Sequence, residues 1–432
     1  MKLAWQLFIF ASVMTLVSTF ATAQTVQTLS LQEAEQLAIQ NHPQIQAATA
    51  LASAAEAQTR EVRAAYYPNA NGNLTGAEAV DSNRIGAGFL NAPRVFNKYA
   101  NGFSLSQLIS DFGRTHQFVK SSNLHAQAQQ ENVVTSRADV LLQVDQSYFG
   151  VLRAQALLRV AQQTVSERQL VSNQVTQMAA NLLKSQLDVT FANVDLAQSQ
   201  LLLIQAQNNL QASYADLTRA LGFADQRRYN LVEQAQTPAP PMDLTSLIQQ
   251  AMMNRPELIS QQFEVNSAQA FATAERDLWF PTISAVGAAG LIPFHTAAAG
   301  LNDQYAAAGF NVNIPIFNGH SFGALRNEAT ARALAQQQNL RDLQDRIVRD
   351  VNKAWLGANS GYQRLSVVEQ LVNQATLALN LAQSRYQLGL SSIVELTQAQ
   401  LNLTQAQIEQ VNATYDYQTQ LSVLNYQIGN RR

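Results

Sequence analysis

The sequence predicts a mainly α-helical chain with a small membrane β portion: four strands and very long coiled-coil helices per protomer. Three observations predict it. The chain is an internal duplication, its long apolar seams repeat every seven residues, and two short stretches in each half abandon that period and alternate.

The duplication is read from landmarks. Asn41-His42-Pro43 returns as Asn254-Arg255-Pro256, and Tyr66-Tyr67-Pro68 returns as Trp279-Phe280-Pro281, both 213 residues on. Beyond these the offset is 207 and stays there: Gly102 with Gly309, Tyr148 with Trp355, Ser185 with Ser392, Asp188 with Glu395, Gly222 with Gly429. A register kept by Pro, Gly and aromatic residues marks a true repeat. The change of offset falls between Pro68 and Gly102, which puts a surface loop there.

The elements follow in order. Lys2, the apolar run Leu3–Val17 and the small-residue pattern Ala21-Thr22-Ala23 read as a secretory signal peptide over residues 1–23. The run is shorter than the ~20 residues a membrane-spanning helix needs. A first helix is expected over about Leu31–Tyr66, with its mate over Leu244–Trp279. The Pro after each cannot continue a helix.

Two strands come next in each half. Phe310, Val312, Ile314 and Ile316 alternate with small or polar residues, and so do Tyr99, Phe103 and Leu105. That is the period of a strand with one apolar and one polar face. Tyr99, Phe103, Leu105, Phe310, Val312 and Ile314 are the expected lipid-facing positions. Asn69–Val80 and Thr282–Leu291 are weaker, Gly-rich strands, with loops at Asp81–Lys98 and Ile292–Tyr305.

Long helices close each half. Arg114–Ala180 would span about 100 Å at 1.5 Å per residue, and Leu187–Gly222 returns half-way. Val144, Val151, Leu158 and Val165 step by seven, as do Leu196, Leu203, Leu210 and Leu217, and Val394, Leu401, Ile408 and Tyr415. The chain therefore divides into the signal peptide, a first repeat over residues 29–222, a Pro-rich equatorial linker over 223–242 and a second repeat over 243–429.

Composition narrows the function. Only 13% of residues are charged and the net charge is −2, so no charge excess drives nucleic-acid binding. The chain has no Cys, which removes disulfides, thiol nucleophiles and thiolate metal sites. His42, His116, His125, His295 and His320 show no paired metal spacing. Asp111-Phe112-Gly113 lacks every other part of a kinase signature and reads as the end of a strand. No catalytic residue, metal site or cofactor is expected, and the chain is not read as an enzyme.

Two turns carry polar signals. Gly389 can end a helix at positive φ, Ser392 is placed as an N-cap, and Glu395 completes a capping box. Ser185 and Asp188 keep the same spacing in the first half, where Leu182 stands in place of the glycine. Four strands cannot close a membrane barrel, whereas three copies bring twelve, within the range of closed barrels.

With the duplication, the Asn-x-Pro landmarks, the aromatic-Pro entries to the strands and the two tips, the sequence resembles the TolC-type outer-membrane efflux proteins from about Leu29 to Gly429. The resemblance implies a homotrimer, with a twelve-stranded β-barrel in the outer membrane of a Gram-negative-type bacterium continuing into a twelve-helix periplasmic α-barrel. It implies an exit duct of a tripartite efflux or type I secretion system for small molecules or polypeptides. The implied partners are a periplasmic adaptor, an inner-membrane transporter of the RND, ABC or MFS type, and outer-membrane lipid, with no nucleic acid. It also makes Ser185, Asp188, Tyr386, Gly389, Ser392 and Glu395 the periplasmic tip and gate. This chain departs from the familiar pattern at Ser391, where an Arg can close an ion pair, and at Gln398, where a second acid can line the constriction. The competing reading is a secreted or periplasmic coiled-coil structural protein.

Overall fold

The computed structural model describes residues 28–77, 98–225, 227–233, 238–291 and 304–431. The expected signal peptide and most of both strand-connecting loops lie outside the described residues.

The chain order is β1 (Thr28–Leu29), α1 (Leu31–Asn41), α2 (Pro43–Arg63), β2 (Asn69–Ala77), β3 (Lys98–Ser110), α3 (Arg114–Ala180), α4 (Gln186–Ala220), β4 (Asn230–Leu231), α5 (Leu244–Asn254), α6 (Pro256–Arg276), β5 (Thr282–Leu291), β6 (Gln304–Asn313), α7 (Ser321–Gln387) and α8 (Ile393–Gln427). Every helix of the first half has a mate of equal length in the second. The long pair α3 and α7 has 67 residues each.

Three expectations need correction. The first helix of each half is two helices, because Pro43 and Pro256 each occupy the first position of a new one. A prolyl nitrogen cannot donate to the preceding turn, so the break falls at His42 and at Arg255, both extended. Ile314, expected on a strand, lies one residue past the end of β6. Of the expected α8 seam Val394, Leu401, Ile408 and Tyr415, Val394 and Leu401 are exposed and Tyr415 is buried, while Leu396, Leu403, Tyr417 and Leu424 are buried as well. Leu396 and Leu403 are seven apart just as Val394 and Leu401 are, and periodicity alone does not say which pair meets the same chain.

The sheet order is β2-β3-β5-β6, antiparallel throughout. Its outer strands β2 and β6 each leave one edge without a partner among the described residues. Directly opposed residues share a face. Gly72, Phe103, Ala289 and Ala306 form one row, and Ala70, Leu105, Gly287 and Ala308 another. Phe310 and Val312 share that face, as does the Tyr99 position by its register with Gly76. Phe103 is 75% and Phe310 78% exposed. The opposite face carries Asn69, Asn71, Asn73, Ser104, Ser106, Ser284, Asn311 and Asn313.

The long helices pack side by side as one layer. Beside the sheet, α3 packs between α2 and α6, and α6 in turn packs on α7; at the far end α3 packs between α4 and α8, and α8 on α7. The α3–α6 seam is close, with Ser121 and Ser267 hydroxyls 3.1 Å apart and Ser260 donating to the Ala128 carbonyl at 3.0 Å.

Half-way along, the linker wraps the layer. β1 and β4 pair in parallel. Tyr148, fully buried, shares its one hydroxyl proton between the carbonyls of Leu29 and Val232, at 2.9 and 2.8 Å, and accepts from the Val232 amide at 3.0 Å. Its repeat mate Trp355 donates its indole N–H to the Pro241 carbonyl at 2.9 Å. The two halves thus use one position for one task, which is to hold the linker against the wall. Arg431 ties the end of the described chain to the same region, pairing with Glu35 and with Asp145 at 2.7 Å.

Candidate gate at the paired helical tips

Both long helices end in the same turn. At the second tip the Gly389 amide donates to Tyr386 and the Leu390 amide to Arg385, with Gly389 at φ 74°. At the first, Leu182 donates to Ala179 and Leu183 to Met178, with Leu182 at φ 60°. These double bonds satisfy carbonyls that a helix end leaves open. Leu182 adopts the left-handed conformation without being a glycine, and its side chain is 93% exposed.

The caps differ. Ser185 and Asp188 form a complete capping box: the Asp188 amide donates to the Ser185 hydroxyl at 3.2 Å, and the Ser185 amide donates to the Asp188 carboxylate at 2.9 Å. Ser392 makes only the first half, accepting from the Glu395 amide at 3.4 Å. The Glu395 carboxylate instead pairs with Arg385 at 3.2 Å. The expected second capping box is therefore corrected to a single cap and a cross-turn ion pair. Arg385 sits at the end of α7, where a cation also meets the negative end of the helix dipole.

A small core joins the tips. Val175 of α3, Val189 and Ala192 of α4, Tyr386 of α7, and Ile393 and Leu396 of α8 are buried together. Tyr386 stands within this core. Its hydroxyl has no hydrogen-bond partner among the described residues. Burial, with the nearby Asp188 charge second, pushes that hydroxyl's pKa up to about 12. Lys184 reaches over from the first tip, with its ammonium 4.0 Å from the centre of the Tyr386 ring and donating to the Tyr386 carbonyl at 3.4 Å. A second tie lies deeper: Arg168, buried, pairs with Asp195 at 2.7 Å and donates to Thr404 at 3.2 Å.

The candidate residues thus come together in one place. Asp188, Tyr386 and Ser185 meet around Lys184; Glu395, Ser392 and Gly389 meet around Arg385. Lys184, Arg168 and Asp195 were missed in the sequence. Their signal is the hairpin itself: folding the chain back at Leu182 sets Arg168 beside Asp195 and Ser172 beside Asn193, whose side chains bond at 2.7 Å. Near the tips, the polar ties between the two hairpins run from Lys184 to Tyr386 and from Arg168 to Thr404, while farther from the tips Arg153 pairs with Asp416 at 3.1 Å and Tyr426 donates to Asp139 at 2.6 Å. Such a seam can part without breaking either hairpin.

Comparison with known proteins agrees with this architecture. Residues 34–223 and 247–430 match the family model described as outer membrane efflux protein. The chain is similar to the cation efflux system protein CusC of Escherichia coli O157:H7, 25% identical over 386 residues, covering 85% of this chain and 78% of that one. It is similar to the alkaline protease secretion protein AprF of Pseudomonas aeruginosa, 24% identical over 414 residues, covering 93% and 84%. Among solved structures, the CmeC outer membrane channel of Campylobacter jejuni superposes with a TM-score of 0.81 at 17% identity, covering 92% of this chain and 85% of that one.

Proposed function

Because the chain belongs to the outer membrane efflux protein family, we infer that it is a passive conduit whose helical tips form its gate. It is an outer-membrane exit duct for efflux or secretion, extending into the periplasm. The family is one of channels, and its members act in tripartite systems with an adaptor and an inner-membrane pump.

The observation that carries the conduit is the sheet. Among the described residues it has four strands, one strongly apolar face, and no partner on the outer edges of β2 and β6. Strand edges left bare in hydrocarbon are prohibitively costly, so the sheet must close with copies of itself. Three copies supply a dozen strands. The layer order favours the same closure, because among the described residues α7 lies at one margin of the helical layer while α2 and α4 lie at the other. The tip residues would then gate the far end, with the Lys184–Tyr386 and Arg385–Glu395 contacts holding it. Energy would come from the pump, whether of the RND, ABC or MFS type, through the adaptor. The cargo would be small molecules or polypeptides.

The test is a charge placed on the apolar face. Phe310→Arg should abolish assembly in the outer membrane, since an Arg at the lipid face of a barrel costs on the order of 2–4 kcal/mol at mid-depth in each copy. Asn311→Arg, one residue on and facing the other way, should assemble normally. Equal tolerance of both would defeat the reading.

A further inference from the structure

On the polar face of the sheet one row is unlike the others. Asn73, Gly102, Gly290 and Tyr305 stand opposite one another across β2, β3, β5 and β6. Two glycines in successive strands leave a trough in the wall, and the Tyr305 side chain lies in it. A Cβ built on Gly102 would overlap the Tyr305 hydroxyl, and one on Gly290 would stand 2.6 Å from it. The side chain therefore reaches across β5 to β3, its hydroxyl end seated over both glycines. Tyr305 is the only aromatic residue on that face among the described residues; by register the face otherwise carries Asn, Ser, Thr, Gly, Ala and Val, with Leu108 toward the helices and the Lys98 position at the other end.

If the apolar face meets lipid, this face lines the duct, and Tyr305 sits near its outer mouth. We propose that Gly102 and Gly290 are a recess that parks Tyr305 against the barrel wall, and that Tyr305 is the residue that sets clearance at the outer mouth. A ring held flat leaves the passage open and presents one face to departing cargo. A ring denied the recess must turn toward the axis, and three copies of it would narrow the opening together. This rests on the duct reading above.

Gly102 is the better site to test. A methyl there meets the far end of the Tyr305 side chain, and next the Ala289 carbonyl at 3.0 Å, whereas at Gly290 it would overlap the backbone of β3. The experiment uses detergent-extracted full-length protein. Cryo-EM maps locate the ring, and planar-bilayer recordings measure single-channel conductance in a Tyr386→Ala background, chosen to loosen the tips. Gly102→Ala should turn the ring toward the axis and lower the conductance. Tyr305→Ala should restore it in the double variant, and Tyr305→Phe alone should behave as the parent. Should Gly102→Ala not assemble, Tyr305→Trp, too wide for the trough, should lower conductance by itself. A Gly102→Ala map with the ring still flat, or a double variant that conducts as poorly as Gly102→Ala, overturns the proposal. A parent protein that forms no channels overturns the duct reading instead.

Discussion

Gly222 and His42 meet backbone to backbone. Gly222 closes α4 at φ 81°, and a Cβ there would stand 2.8 Å from the His42 Cα. His42 is the break between α1 and α2, so α4 ends where that bend leaves room. The second half repeats the arrangement, with Gly429 at φ 74° and its Cβ position 2.9 Å from the Asn254 carbonyl carbon. The Asn-x-Pro landmarks and the terminal glycines, far apart in sequence, are the two sides of one joint. Gly222→Ala and Gly429→Ala should each destabilise the protein by about 1–3 kcal/mol, from forbidden φ and from overlap. A lowered midpoint of thermal unfolding in detergent checks this, and an unchanged midpoint in both would contradict it.

Leu182 pays the strain that Gly389 avoids. Leu182→Gly should therefore stabilise the first tip, by up to about 1 kcal/mol after the added freedom of the unfolded chain is counted. Slower hydrogen exchange at the Leu183 amide would show it. Faster exchange would mean that the exposed side chain contributes contacts in the assembly.

Tyr386 separates packing from polarity. Its hydroxyl is buried without a partner, so Tyr386→Phe should leave stability unchanged or slightly raised. Tyr386→Ala removes the centre of the tip core and should cost about 3–5 kcal/mol locally, as for other buried aromatics. A larger leak through Tyr386→Ala channels, with Tyr386→Phe channels unchanged, is the expected pair of results.

The Asp145 site predicts a pH effect. Burial raises its pKa to about 7, against the opposing pull of Arg431. In the unfolded chain the group titrates near its ordinary value of about 3.9. The folded state thus binds the extra proton between these values, and stability from this group falls as pH rises from about 4 to 7, then levels. Asp145→Asn should flatten that slope in an unfolding series over the same range. A slope that persists in Asp145→Asn would assign the titration elsewhere.

How much was legible depended on how local the signal was. The bounds of the long helices, the tip turns and the sheet faces follow from period and from Pro, Gly and Ser placement, all written within a few residues. Thr282–Leu291 was read to the residue because a Pro precedes it. The break at His42 was hidden by apolar periodicity running through it, although Pro43 marked it. The stripe Leu396, Leu403, Tyr417 and Leu424 could not be told from Val394 and Leu401 without knowing which neighbour each meets. Lys184 over Tyr386 joins residues about 200 apart, and only the docking of two hairpins brings them together. The Glu395 carboxylate pairs with Arg385 and not with the Ser392 amide, a choice that the capping-box spacing does not reveal.

The central claim is a duct closed from several copies of this chain. It is tested most directly by single-particle images of the protein extracted from outer membranes in detergent. The account predicts a three-fold tube, with about 100 Å of helix below a barrel of a dozen strands. A monomeric rod recovered without detergent, with its sheet open at both edges, would contradict it.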